Sequence, residues 1–249
     1  MTKLLKNENT NKIIYYYQTF VGLDDLFSKK NIPVTHIHLS SIHFGVDSNN
    51  NPYIHLNDDQ PDYYDFESVW KDMKKASDLG IKIVLMIGGA GGGYASFFSN
   101  YDTYLQLLFD TIQKYDMISG VDLDIEEPVD INNVKKLIID LKVKFGEDFS
   151  ISMAPIQSSL QTDEPGMGGF CYKDLYKSEV GKYIDYFNVQ FYSNFSEISY
   201  DDCVNNGYPP EKLVMGMISG MNYNYILSEI YTISHKYKDK FGGVFNWEY

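Results

Sequence analysis

The feature that most restricts the fold is a rhythm: eight short apolar runs recur along the chain, separated by helical or loop segments. Ile13 to Phe20, rich in β-branched and aromatic residues, reads as the first strand. Val34 to Phe44 is the second, alternating Ile37, Leu39 and Ile42 with His36, His38 and His43. Gly45 to Pro61, full of Gly, Asp, Asn and Pro, is expected as a loop. Ile81 to Ile87 is nearly all apolar, as in parallel strands buried on both faces. Gly120 to Pro128, Phe149 to Ile156, Ile184 to Tyr192, Leu213 to Ser219 and Phe241 to Tyr249 complete the set. Between them, Phe66, Val69, Trp70, Met73 and Ala76 recur at helical spacing before the stop at Gly80. Tyr104 to Ile112, Val134 to Phe145, Tyr172 to Val180, Tyr200 to Asn206 and Tyr225 to Tyr237 supply further helical segments. Strands alternating with helices predict an α/β fold, a (β/α)8 TIM barrel with right-handed crossovers. The 249 residues suit one such barrel, which takes about 250. The expected organisation is a polar tail over residues 1–12 and a barrel over 13–249, with no helix after the eighth strand. That last wall is left to the tail or to a partner.

One of the strands carries a pattern that a core would not choose. In Gly120 to Pro128 the aliphatics Val121, Leu123 and Ile125 alternate with Asp122, Asp124 and Glu126. A period of two puts the three acids on one face. Like charges buried side by side raise at least one pKa, which is how a carboxyl group is kept protonated near neutrality. The pattern therefore reads as chemistry. Glu127 alternates to the opposite side and is expected as a loop charge.

Composition removes several functional classes. The net charge is −13, and all 21 basic residues are lysines, so a nucleic-acid partner is not expected. No run approaches the roughly 18 apolar residues of a membrane helix, and no membrane partner is expected. The polar start lacks the apolar stretch of a signal peptide, so the chain as given reads as cytoplasmic, or as secreted if a leader has been removed. Cys171 and Cys203 lack metal-ligand spacing and are either a pair or two free thiols. His36, His38 and His43 read as core or loop histidines, and neither a metal nor a cofactor is expected. The glycine run from Gly88 to Gly93 has neither the Lys-Ser/Thr of a P-loop nor a spaced GxGxxG, which argues against a phosphate cradle. It predicts the close approach of a bulky ligand or a neighbouring backbone.

With the acidic strand placed fourth, the sequence resembles the family 18 glycoside hydrolases, the chitinases and their relatives, most of all the compact plant and fungal type. The fourth-strand signature DGxDxDxE reads Ser119 Gly120 Val121 Asp122 Leu123 Asp124 Ile125 Glu126. The third-strand signature SxGG reads Met86 Ile87 Gly88 Gly89. Ala154, Pro155 and Gln157, then Gln190 Phe191 Tyr192, then Trp247 echo the family in order over residues 13–249.

The resemblance implies cleavage of β-1,4 bonds next to N-acetylglucosamine in chitin or chito-oligosaccharides, with retention, the substrate's own acetamido oxygen attacking the anomeric carbon. It implies Glu126 as proton donor, Asp124 as holder of the acetamido N–H, Asp122 as the deep partner sharing a proton with Asp124, and Tyr192 bonding the acetamido carbonyl. Gln190 would contact the sugar or the acid pair, and Trp247 would form the floor under the distorted sugar. Gly88, Gly89 and Tyr16 complete the expected substrate-binding wall. Two positions depart from the pattern: Ser119 replaces an aspartate, and Met86 replaces a serine whose hydroxyl in the family serves the deep aspartate. The expectation is that Asp122 lacks one donor unless Tyr16 or Tyr17 replaces it. Two other readings stay open: a weak or inactive chitinase-like lectin or inhibitor, and an endo-β-N-acetylglucosaminidase acting on N-linked glycans. The oligomeric state stays open too.

Overall fold

A computed structural model of the chain describes residues 11–248. Strand β1 (Lys12–Tyr17) leads through the single turn α1 (Asp24–Phe27) into β2 (His36–Val46), which folds back as β3 (Pro52–Leu56). Helix α2 (Glu67–Asp78) precedes β4 (Lys82–Gly88), and α3 (Tyr94–Ser99) and α4 (Tyr101–Lys114) precede β5 (Ile118–Asp124). Then come α5 (Ile131–Phe145), β6 (Ser150–Met153), α6 (Ser158–Gln161), α7 (Tyr172–Lys177) and β7 (Tyr186–Val189). The chain finishes with α8 (Glu197–Asn205), β8 (Leu213–Ile218), α9 (Tyr223–Tyr237) and β9 (Gly243–Trp247). The sheet runs β1-β9-β8-β7-β6-β5-β4-β2, and β1 pairs with β2, Tyr16 opposite His38, so the ring of eight parallel strands closes. This is the expected (β/α)8 barrel. No helix follows β9 among the described residues.

The side-chain period of two divides the barrel into two cores. Ile37, Leu39, Ile83, Leu85, Val121, Leu123, Ile151, Phe187 and Leu213 face outward into one large core beneath the helices. The helices answer with apolar stripes. In α5 the Asp130 carboxylate caps Asn132 N–H, Val134, Leu137, Ile138 and Leu141 bury one face, and Gly146 ends the helix at φ 90°. Truncating a fully buried residue such as Leu141 to alanine would cost about 2–5 kcal/mol. The inner core is small: Ile14, Tyr16, Met86, Tyr186, Val214 and Phe245, with Tyr192 and Trp247 against it. The remaining space along the axis holds polar groups, among them His38, Asp122, Ser152 and Asn188, each fully buried.

Four expectations need correction. The segment from Gly45 to Pro61 is not only a loop: β3 pairs antiparallel with the outer end of β2, burying Ile54 and Leu56 while Tyr53 and His55 stay partly exposed. The alternation was short, and the Pro and Asn residues around it hid it. Helix α3 begins at once after the glycine run, anchored by buried Tyr94 and Phe97, where no separate helix was expected. Lys12, assigned to the tail, opens β1 and pairs opposite Gly243. Residues 1–10, and with them the idea that the tail closes the last wall, lie outside the described residues. The acidic strand itself ends at Asp124, so Glu126 stands on the segment just past the strand.

No helix among the described residues is long and apolar enough to cross a membrane. Cys171 and Cys203 are both free thiols.

Candidate active site

The acids gather at the C-terminal end of β5, the end at which barrels of this kind carry their sites. Val121, Leu123 and Ile125 are held in the outer core, which turns Asp122, Asp124 and Glu126 to the axis. Asp122 lies deepest and is fully buried. Its Oδ2 accepts the Tyr16 hydroxyl at 2.6 Å, and its Oδ1 accepts the Ser152 hydroxyl at 2.6 Å and the Asn188 amide at 3.0 Å. The His38 ring nitrogen Nδ1 stands 3.4 Å from Oδ2. Burial alone would push this carboxyl up, but His38 and the hydroxyls outweigh it and hold Asp122 below the usual carboxylate range.

The condition set for Asp122 is met, since Tyr16 supplies a hydroxyl, and β6 and β7 add Ser152 and Asn188. Met86 turns its thioether into the small inner core. Tyr17 has no part in this: its hydroxyl accepts the Gly22 N–H on the outer side. Ser119 bonds the Ile83 carbonyl on β4 at 3.0 Å, and its hydroxyl serves the sheet rather than the acids.

Asp124, two residues along, has the opposite environment. Burial raises its pKa well above the usual value, and the charges of Glu126 and Asp122 raise it further. The surroundings thus drive the two aspartates apart, Asp122 toward the ionised form and Asp124 toward the protonated one. Glu126 is half-buried at the mouth. The Gln190 amide lies 3.4 Å from both Asp124 Oδ1 and Glu126 Oε1 and donates to the Ala154 carbonyl at 2.9 Å. Gln190 is thus against the acid pair. Glu127 points the other way and accepts the backbone N–H groups of Tyr94 and Ala95 at the start of α3.

The glycine run explains itself by closeness. Gly88 and Gly89 have φ of 90° and 84°. A Cβ on Gly88 would stand 2.4 Å from the Asp124 carbonyl oxygen, and one on Gly89 would stand 3.3 Å from Asp124 Oδ2. The Gly89 N–H donates to the Asp124 carbonyl at 2.9 Å. What comes close is the backbone of β5, so the pair fixes where Asp124 sits.

Aromatic rings form the wall beside the acids. Tyr16 packs on Trp247 with centroids 5.2 Å apart and on Phe245 at 5.1 Å, and Tyr192 meets Phe245 edge-on at 6.2 Å. Burial raises the Tyr192 pKa, followed by the charges of Asp124, Glu126 and Asp122, so its hydroxyl stays a donor. Trp247 is partly exposed at the end of β9. All nine sequence-derived site residues thus lie around one end of the barrel axis.

Sequence reasoning missed His38, Ser152, Asn188 and Tyr186. His38 was read as an ordinary core histidine, yet it lies between Asp122 and the Tyr186 hydroxyl, 3.1 Å from its Nε2. A signal existed: these are polar residues at inward positions of strands whose outward positions are apolar.

Comparison with known proteins agrees with this geometry. The family model described as glycosyl hydrolases family 18 matches residues 11–238. Among solved structures, a fungal endo-β-N-acetylglucosaminidase of that family is 29% identical, with 97% of this chain and 91% of that chain covered and a TM-score of 0.87. A chitinase from Aspergillus fumigatus is 28% identical, with 96% and 92% covered and a TM-score of 0.88. A family 18 chitinase from Pseudoalteromonas aurantia, at 22% identity, 96% and 94% coverage and a TM-score of 0.73, shares the fold. No curated protein sequence matches the chain.

Proposed function

The chain belongs to glycosyl hydrolases family 18, and from that premise we propose that it cleaves β-1,4 bonds at N-acetylglucosamine in chitin-type oligosaccharides, with retention and with help from the substrate. The observation that carries the reading is the line of Asp122, Asp124 and Glu126 on one inner face, graded from a fully buried aspartate to a half-buried glutamate at the mouth. In the first step the acetamido oxygen attacks the anomeric carbon, the glycosidic C–O bond breaks, and Glu126 gives its proton to the leaving oxygen. Asp124 holds the acetamido N–H and stabilises the oxazolinium charge, while its own proton passes to Asp122. In the second step Glu126 takes a proton from water, whose oxygen attacks the anomeric carbon; the bond from that carbon to the acetamido oxygen breaks, the acetamido group is restored, the proton returns from Asp122 to Asp124, and the original configuration is retained. Tyr192 holds the acetamido carbonyl, Trp247 carries the distorted sugar ring, and Gln190 keeps the two outer carboxyls in place. Supporting this division is the opposite direction in which the surroundings move the two aspartates.

The test is hydrolysis of chito-oligosaccharides by the wild type and by Glu126→Gln, scored as new reducing ends. Loss of about 100-fold or more in kcat is expected, since a positioned acid contributes typically 100- to 10,000-fold. Undiminished hydrolysis by the variant sinks the reading. The similarity to a fungal endo-β-N-acetylglucosaminidase supports a second substrate, the chitobiose core of N-linked glycans. Release of glycan from a glycoprotein by a protein that leaves chito-oligosaccharides intact decides for it. The replacements at Met86 and Ser119 were the support for a non-cleaving lectin, and against it stand the three donors that the Asp122 carboxylate keeps, Tyr16, Ser152 and Asn188.

A further inference from the structure

Position 86 and Asp122 are opposite one another across the β4–β5 pair, and both side chains point into the barrel. A hydroxyl at 86 would therefore reach the Asp122 carboxylate, but this chain has methionine there. On β2, on the far side of β4 from Asp122, His38 is fully buried with Nδ1 3.4 Å from Asp122 Oδ2. Its other nitrogen, Nε2, is 3.1 Å from the Tyr186 hydroxyl on β7. A tyrosine O–H donating to Nε2 leaves the imidazole's proton on Nδ1, facing the carboxylate. The ring is clamped from both sides: its centroid lies 4.8 Å from that of Tyr16 and 6.2 Å from that of Tyr186. Confined in this way, the buried Nδ1 makes no other hydrogen bond, and the Asp122 carboxylate 3.4 Å away is the acceptor beside it.

We propose that His38 is a positioning residue of the reaction, its Nδ1–H holding the Asp122 carboxylate in place of the hydroxyl lost at Met86, with Tyr186 fixing the tautomer. The inference rests on the proposed role of Asp122 as proton partner of Asp124. It deepens that reading by making proton sharing within the pair depend on a residue two strands away around the barrel. Without His38, Asp122 keeps Tyr16, Ser152 and Asn188, so the pocket stays filled while the charge balance between the aspartates changes. The groups that face the imidazole are Tyr16 from β1, His36 from its own strand, Asp122 from β5 and Tyr186 from β7. His36 beside it is held neutral: burial first, then the neighbouring His38, Lys82 and Lys12, push it down to about 2. Among the described residues, Asp122 is the carboxyl group in contact with the ring.

The test is a double-mutant cycle on chito-oligosaccharide hydrolysis, with kcat and KM measured from pH 4 to pH 8. His38→Leu is expected to lower kcat by about 10- to 100-fold, to change KM by less than about threefold, and to move the acidic limb of the kcat profile. His38→Asn, whose amide nitrogen sits near the place of Nδ1, recovers part of the loss. Met86→Ser in the His38→Leu background recovers kcat by about tenfold, and by much less in the wild type, because the two positions serve one carboxylate. Additive effects, an unmoved pH limb, or a His38→Leu variant of full kcat would overturn the inference. Should His38→Leu not fold, the nitrogen chemical shifts of His38 in the wild type decide it: protonation at Nδ1 supports the proposal, and protonation at Nε2 alone refutes it. That measurement needs no activity, so a protein inactive on every glycan would count against the proposed function while leaving the His38 geometry separately judged.

Discussion

Replacing Tyr16 by phenylalanine removes one oxygen atom and leaves the ring, which makes it a clean probe of the deep carboxylate. The ring's contacts with His38, Phe245 and Trp247 survive, so no cavity is made. The bond lost is a 2.6 Å hydrogen bond to Asp122 Oδ2, buried on both sides. A hydrogen bond to a charged group is worth about 1.5–3 kcal/mol. At 1.36 kcal/mol per pKa unit, the Asp122 carboxyl should rise by about one to two units. The sign follows from the direction of the native shift. Asp122 is held below its unfolded value, so its ionised form stabilises the fold above that value, and the contribution is lost as pH falls through the folded pKa. The variant should therefore be less stable than the wild type by about 1.5–3 kcal/mol at pH 7, with the gap closing as pH drops below the usual carboxylate range. Urea unfolding at pH 7 and pH 3 reads both numbers. The same change should bring the two aspartates closer in proton affinity and lower kcat more than it raises KM. An unchanged midpoint at pH 7, or a gap that is the same at pH 3, would refute the reasoning that Tyr16 stabilises an ionised Asp122.

Two further outcomes can be measured with the same assays. Gly88→Ala places a methyl group 2.4 Å from the Asp124 carbonyl at a φ of 90°; the backbone conformation alone costs about 1–2 kcal/mol. It should lower stability by more than that and reduce kcat further than any general loss of folded protein explains, whereas a melting temperature and kcat within error of wild type would show that β5 can retreat freely. His36, pushed down to about 2 from 6.5 chiefly by burial, makes folding pH-dependent: the unfolded chain takes up a proton below pH 6.5 that the folded chain refuses. Stability should fall by up to about 1.4 kcal/mol per pH unit from this residue between pH 6.5 and 4.5, and the slope should flatten in His36→Asn; equal slopes in urea titrations of the two proteins would rule His36 out as the cause.

The acids were legible because β5 is one continuous strand, and a period of two needs no knowledge of its neighbours. Asp122, Asp124 and Glu126 announce a shared face within five residues of sequence. Their support is spread over β1, β2, β6 and β7, in the single side chains of Tyr16, His38, Ser152 and Asn188, and no one of these strands shows a pattern like that of β5. Which of those meet at one carboxylate depends on the stagger of strands around the closed barrel, a property of the ring and not of any segment. For the same reason β3 escaped notice: Pro52 to Leu56 is a strand only because the outer end of β2 offers it an edge. The outer core was easier to read, since helical and strand periods report burial directly.

The position of the methionine carries a more general consequence. A sequence motif records which residue usually meets a chemical need, and the need here is set by a fully buried carboxylate whose oxygen atoms must be bonded. Several strands of a closed barrel look onto the same point of the axis. A donor lost from β4 can therefore be supplied from β2 at no cost to the outer core, because the inward and outward faces of a strand belong to different packing problems. Met86 then becomes free to fill space beside Tyr16, Tyr186 and Phe245, and it does. The competence of such a site is judged by the groups that reach Asp122, which here are the donors Tyr16, Ser152 and Asn188 with the His38 imidazole beside them, rather than by the residue found at any one motif position.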